Sequence, residues 1–367
     1  MNTVFRLSVT SLFVTAAMTA NAGINIVDGE TGNFSIGGNV ELNFNYQQRD
    51  SNAQQQSEFN QDGRVLIEFA GEKYSDNGYF VGVKTQPLFE STGNIALDDA
   101  YFEFGKLEAW KVTAGRFEAY DMFPVGLDVF LEYSGNTSNE LYSNDSAYVY
   151  QMKEARGRGS DGQLMYNQTF GNWYVELGTM FGDRSGLFAG ETGVDKTYHG
   201  QVITQTKDSF YVRPVVAYQT GDFTFAAALE TNLVSNAAVT SNGVDVSDRT
   251  GYGVTGNWQS GNTNVNANVS YMDAVDEDNL SAGLNLMHSG FGIGYVYANN
   301  DYDSTWAKGN VTVNTTYASY EFTNVLVDDF SVLLGTYYTT INNDTNNQSA
   351  YSEDDDFGAR VRLFYAF

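Results

Sequence analysis

Phe357-Gly-Ala-Arg-Val-Arg-Leu-Phe-Tyr-Ala-Phe367 closes the chain. In an extended strand successive side chains point to opposite faces. Phe357, Ala359, Val361, Leu363, Tyr365 and Phe367 therefore share one face, and Arg360 and Arg362 share the other. A strand in a membrane barrel needs this pattern, with apolar residues toward lipid at every second position and polar ones toward a wet lumen. A soluble sandwich can also finish on an amphipathic strand, but nothing in it calls for a terminal aromatic or for two arginines opposite an unbroken apolar row.

The same alternation recurs upstream. Phe34, Ile36, Gly38, Val40, Leu42, Phe44 and Tyr46 alternate with Ser35, Gly37, Asn39, Glu41, Asn43 and Asn45. Further strands are predicted at 64–70, 79–87, 97–104, 110–117, 160–169, 173–181, 208–219, 223–231, 250–258, 263–272, 280–288, 291–298, 313–322, 330–341 and 356–367. With the first, these make sixteen. Short links at 72–78, 105–109, 171–172, 220–222, 259–262, 289–290 and 323–329 alternate with longer polar segments that include 47–63, 118–159, 182–207, 232–249 and 342–355. Short turns on one rim and long loops on the other are a barrel's habit, and a chain that starts and ends on the short-turn rim needs an even strand count. The fold class expected is an all-β, up-and-down antiparallel transmembrane barrel.

Composition sets the compartment. Residues 1–22 read as a secretory signal, with Arg6, an apolar run from Leu12 to Ala17 and a small-residue cleavage site at Ala20-Asn21-Ala22. The barrel is then 23–367, and its net charge moves from −26 to −27 because Arg6 is the one charge removed. No later stretch reaches the roughly 18 consecutive apolar residues of a membrane helix. Spanning falls to strands, since only helices and closed barrels satisfy every backbone polar group in lipid. The negative mean hydropathy fits a wall with one polar face. Absent cysteine excludes disulfides and thiolate metal sites, and three prolines beside 25 Tyr and 25 Phe favour strands.

An arginine or lysine facing mid-bilayer lipid costs about 2 to 4 kcal/mol. That cost places Arg64, Lys84, Arg213, Arg360 and Arg362 in the lumen, opposite Val65, Ile67 and Phe69, Val81 and Val83, and Val212, Val216 and Tyr218. In 263–272, Val265, Ala267, Val269 and Tyr271 face outward and Asn264, Asn266, Asn268 and Ser270 inward. Such a lumen is expected to be hydrated rather than a packed core. Trp173, Trp258, Tyr46, Tyr218, Tyr271 and Tyr365 suit an interfacial girdle.

Over essentially all of the mature sequence the chain resembles the Gram-negative outer-membrane porins. Trp110-Lys-Val-Thr-Ala-Gly-Arg116 is similar to the family's strand end before its third loop, and Leu131-Glu-Tyr-Ser-Gly-Asn-Thr137 resembles that loop's Pro-Glu-Phe-Gly-Gly-Asp-Thr motif, with Leu131 in place of Pro. Tyr365 and Phe367 look like the family's barrel-assembly signal. The resemblance implies an inward-folded third loop, a homotrimer in the outer membrane with lipopolysaccharide around it, and folding by the barrel-assembly machinery.

An inward loop narrows a wide barrel, and what lines the constriction sets selectivity. Candidate loop acids are Glu118, Asp121, Asp128, Glu132, Glu140 and Asp145; candidate bases are Arg64, Lys84 and Arg116, with Lys153, Arg156 and Arg158 where the loop returns. The resemblance implies acids opposite bases and a transverse field. Strict alternation from Leu164 and Tyr166 aims Arg156 and Arg158 outward unless a bulge or loop intervenes. Tyr120, Phe123, Phe130 and Tyr133 stand either as sugar contacts or as anchors of the loop against the wall.

The functional expectation is a diffusion channel for small hydrophilic solutes and ions. A carbohydrate-selective porin and a closed surface receptor or adhesin are the alternatives. No cofactor is called for. His199 and His288 fall on opposite rims and cannot share a metal, no Ser-His-Asp constellation arises, and the negative charge disfavours nucleic acid. The acidic run Glu353-Asp-Asp-Asp356 reads as a solvated loop or as a divalent-ion contact to lipopolysaccharide.

Overall fold

The computed structural model describes residues 23–49, 57–129, 149–158, 162–184, 196–349 and 354–367. Among them there is no helix. The strands are β1 (Ile24–Gly29), β2 (Gly32–Arg49), β3 (Ser57–Tyr74), β4 (Tyr79–Glu90), β5 (Ile95–Lys106), β6 (Trp110–Arg116), β7 (Gly162–Phe170) and β8 (Trp173–Gly182). There follow β9 (Thr197–Tyr198), β10 (Gln201–Gln205), β11 (Ser209–Thr220), β12 (Phe223–Asn232), β13 (Ala238–Thr240), β14 (Arg249–Ser260), β15 (Thr263–Ala274) and β16 (Glu277–His288). The last four are β17 (Phe291–Asp303), β18 (Lys308–Phe322), β19 (Phe330–Asn343) and β20 (Asp354–Ala366).

Each strand from β2 to β8, then β11, β12 and β14 to β20, pairs antiparallel with the next, and β20 pairs with β2 to close a sixteen-stranded wall. Closure removes the free edges that an open sheet would expose. The sixteen strands correspond one to one with those read from alternation, and most run longer at the long-loop rim. Phe367 seals the seam: its N–H donates to Gly38 O at 3.0 Å and its carbonyl accepts from Gly38 N at 2.8 Å. Beyond that point β1 takes β20's place beside β2, from Ile24↔Ile36 to Gly29↔Gly32.

Alternation also fixes the phase. Val83, Val254, Val269 and Leu284 are 43–56% exposed on the outer face, whereas Asn266, Asn268 and Ser270 are 0–4% exposed on the inner one. Aromatic side chains gather at both ends of the outer wall. Trp173 meets Tyr218 at 4.6 Å near the short turns, and Tyr46 meets Phe59 at 4.9 Å near the long loops.

Two expectations need correction. The long-loop rim is not uniformly long: because β4, β5 and β15 to β18 run on, the links at 91–94, 275–276 and 304–307 are four residues or fewer. On that rim β9, β10 and β13 form a separate three-stranded sheet that alternation did not reveal. Nor is the lumen hydrated all round. Along β8, β11, β12 and β14 to β18 the inner wall carries a packed layer, to which residues 117–129 and 149–158 contribute.

Candidate functional site: the lumen and its third loop

The chain leaves β6 at Arg116, and residues 117–129 run along the inner faces of successive strands. Polar wall side chains hold the segment by its main chain. Thr255 donates to Met122 O at 2.5 Å, Asn268 and Asn285 donate to Pro124 O at 3.2 and 2.8 Å, Tyr317 donates to Val125 O at 2.6 Å, and Ser319 donates to Leu127 O. Arg360 on β20 donates to Val129 O at 2.6 Å. A loop laid against a wall in this way has its peptide groups satisfied without a strand partner, as buried backbone requires.

Residues 149–158 return along β8, β12 and β14, and three adjacent strands hold both legs. Glu176 on β8 accepts from Tyr120 N at 3.3 Å and from Tyr174 Oη at 2.6 Å. Glu230 on β12 accepts from Tyr150 Oη at 2.6 Å and Ala155 N at 3.3 Å. Between them Arg213 on β11 lies 3.5 Å from Glu176 and 3.6 Å from Glu230, and donates to Tyr120 O at 2.9 Å. All three side chains are 0–1% exposed. A buried guanidinium between two buried carboxylates leaves a single net charge, and each group also meets polar atoms of the loop. Farther along, Arg249 bonds Glu154 at 3.0 Å.

The legs also bond each other. Arg156 reaches Glu118 at 3.4 Å and Asp121 at 3.5 Å. Burial raises the Asp121 carboxyl's pKa, but Arg156 and Lys153 outweigh it and hold the group below the ordinary carboxylate value. Burial, with repulsion from Arg156, brings Lys153 down to about 8.

The sites expected from sequence can now be located. Arg156 and Arg158 do not point outward: they precede β7, in the returning loop, where Arg158 has φ 56° and Gly157 bridges to Glu118. Arg158 turns to β5, at 3.0 Å from Asp98 and 3.2 Å from Asp99. Arg116 donates from Nε to the carbonyls of Leu97 and Asp98 at 2.8 Å and from Nη1 to Arg158 O, a structural clamp on the loop's entry and return. Asp128 is half-buried, next to the Leu127 carbonyl held by β18. Tyr120 and Phe123, 9% and 1% exposed, turn into the wall, Tyr120 against Tyr174 at 5.7 Å. Glu132, Glu140, Asp145, Phe130 and Tyr133 lie outside the described residues.

Along β20 and β2 to β6, in the rest of the lumen, Arg64, Lys84, Lys111, Arg360 and Arg362 each have an acid of the same wall within 4 Å. Arg64 pairs with Glu41 at 3.1 Å, Lys84 with Glu68 at 3.0 Å and Lys111 with Glu103 at 2.8 Å. Arg362 and Arg360 donate to Asn43 and Asn45 at 2.7 and 2.6 Å, and both amides donate onward to Asp62 at 2.5 and 2.6 Å. Among the described residues, acids and bases thus alternate along this wall.

Sequence reasoning placed Arg213 in the lumen but missed its partners Glu176 and Glu230, and Arg249. Their signal was available: charged residues in lumen phase, alongside glycines in the same phase on the same or neighbouring strands. A Cβ at Gly251 or Gly253 would collide with the Tyr150 hydroxyl or the Met152 sulfur, and one at Gly292 would lie 2.8 Å from Leu127 Cβ.

Comparison with known proteins agrees with this architecture. Residues 9–367 match the family described as porin-like glycoporin RafY. Among solved structures, the anion-selective porin from Comamonas acidovorans is similar at 14% identity and TM-score 0.59, covering 92% of this chain and all of that one. The trimer form of in-vitro folded OmpT, an outer membrane protein of Vibrio cholerae, is similar at 11% identity and TM-score 0.55, covering 92% and 100%. No curated protein matches. At such identities the structures speak for the fold, and the family match speaks for the whole chain. Closed wall, polar lumen and family match agree that this chain belongs to the porin-like glycoporin family and is a channel-forming barrel of the Gram-negative outer membrane.

Proposed function

We propose that the channel passes neutral saccharides along with other small hydrophilic solutes, through a waist between the third loop and the open wall of β20 and β2 to β6. The observation that carries this reading is the pairing on that wall: Arg64, Lys84 and Lys111 each have a carboxylate within 3.1 Å. A paired wall keeps its hydrogen-bonding groups while much of its field cancels at distances beyond the pair. It therefore favours solutes that bind through hydroxyls over solutes drawn in by charge. The description of the matching family as a glycoporin supports the same class. The expected assembly is a homotrimer, as in the trimer form of the similar OmpT. No chemical step is assigned to the chain.

Planar-bilayer recordings of the refolded protein, with liposome swelling by neutral sugars, test the reading. Expected are stepwise openings grouped in threes, weak ion selectivity and swelling by tri- as well as monosaccharides. A folded barrel that passes no ions would return the chain to the surface-receptor alternative, and one that excludes trisaccharides would make it a general ion and small-solute pore.

A further inference from the structure

β2 and β3 stay paired out to Gln48↔Ser57, but β4 leaves β3 at Arg64↔Glu90. The wall therefore steps down, and the four-residue link after β4 folds into the step, with Ser91 N donating to Gly63 O at 2.8 Å. Under the link lies a cavity of about 480 Å³ on the lumen side, lined by Glu41, Asp62, Arg64, Leu88, Thr92 and Arg362 among others. That volume falls within the range of small-molecule sites, about 300–1,000 Å³.

The groups around it are unevenly bonded. Arg64 gives Nη2 to Glu41 at 3.1 Å, but Nη1 is 4.0 Å from Asp98, too far for a hydrogen bond, and Nε is buried with no hydrogen-bond partner. Arg362 Nη2 stands 3.8 Å from the other Glu41 oxygen. Glu90, the register partner of Arg64 on β4, has its carboxylate held by Thr92 and Asn94, both at 3.0 Å. Leu88, 8% exposed, is the apolar element of the lining.

We propose that this notch is a saccharide subsite, holding one sugar unit of an oligosaccharide on its way to the waist; the proposal rests on the saccharide reading above. The planar guanidinium of Arg64 presents donors in a fixed fork. Two neighbouring sugar hydroxyls can accept from such a fork while donating to Glu41 or Glu90, and Leu88 offers a surface to the sugar's C–H face. The charge balance narrows the class. Glu41, Asp62 and Glu90 outnumber Arg64 and Arg362, so an anion meets excess negative charge and a simple cation meets two guanidinium groups. A neutral polyol meets neither obstacle.

The test is current blockade by maltotriose, titrated in planar bilayers, for the wild type, Arg64→Met and Thr92→Val. Thr92 lies in the link outside the wall, so its variant stands even where Arg64→Met fails to fold, which heat-modifiable migration in a gel reports. The expected result is a half-blocking concentration about tenfold higher for Arg64→Met, the factor that corresponds to about 1.4 kcal/mol, with a smaller rise for Thr92→Val. Maltotriose that enters liposomes and blocks wild type and both variants equally overturns the subsite and leaves the saccharide reading standing. A shift in reversal potential with unchanged blockade likewise overturns it, as the notch would then act on ions. If maltotriose neither blocks nor enters, both the subsite and the saccharide reading fall.

Discussion

Replacing Arg213 with methionine is the sharpest test of how the third loop is held. The side chain is fully buried between Glu176 and Glu230, and these two carboxylates carry the outbound leg at Tyr120 N and the returning leg at Tyr150 and Ala155 N. Removing the cation leaves two carboxylates, each 1% exposed, without their shared partner, and breaking a buried pair from one side costs about 3–5 kcal/mol. Since 1.4 kcal/mol is a factor of ten, a penalty of about 3 kcal/mol raises the population of loop-released states by roughly two orders of magnitude. Single-channel recording should show a higher mean conductance with frequent excursions, and the loss of heat resistance should be modest because the backbone ladder of the wall is untouched. The triple variant E176Q/R213M/E230Q removes the charges together and keeps amide oxygens for Tyr120 N and Ala155 N. It should recover most of the wild-type behaviour. An R213M channel with wild-type conductance and noise would refute the clamp, and a triple variant as disturbed as the single one would show that packing rather than charge holds the loop.

Other perturbations probe separate parts of the same geometry. Because burial and Arg156 lower the Lys153 pKa to about 8, raising the pH from 7 to 9 removes a positive charge beside Asp121; reversal potentials should move toward cations with a midpoint near 8, and Lys153→Met should show no such titration. Gly253→Val places a branched side chain where the Met152 sulfur lies, so it should displace the returning leg and alter the exclusion limit in liposome swelling, whereas Gly256→Val, whose Cβ would meet only the outward Phe225 ring at 3.7 Å, should not. Deleting Phe367 removes two hydrogen bonds to Gly38 at the seam and should lower the yield of heat-modifiable barrel in refolding and in cells. Mass spectrometry of outer-membrane protein should find an N-terminus at Gly23.

The wall was legible because lipid imposes a rule on each residue separately. Whether Val269 or Asn268 faces outward is decided by its own transfer energy and the period of two, so sixteen strands and their phase follow from local pattern alone. β9, β10 and β13 escaped because they are two to five residues long and stand in water, where no such rule applies. The ion pairs of the open wall escaped for a different reason. Glu41 and Arg64 are 23 residues apart and become neighbours only through the β2–β3 register; alternation gives the face of a residue but not its lateral partner.

The loop's course was the hardest to read, and the reason also accounts for the asymmetry of the lumen. Side chains of 117–129 and 149–158 follow no period, because their partners are wall positions set by barrel closure. The wall nevertheless records the loop in its composition. Where the loop lies, the inward residues are short or amide-bearing, Gly253, Thr255, Asn268, Gly283, Asn285, Gly292 and Ser319, which leave room for a second layer and offer donors to its carbonyls. On the remaining arc, from β2 to β6, they are long and charged: Glu41, Arg64, Glu68, Lys84, Asp98 and Glu103. A long charged side chain facing a packed layer would need burial and a partner, as at Arg213, and a glycine facing water would waste wall that could bind solute. Lumen-phase residue size therefore divides the barrel into an arc that carries the loop and an arc lined by charged side chains, and that division can be read along a porin sequence once the phase of each strand is known.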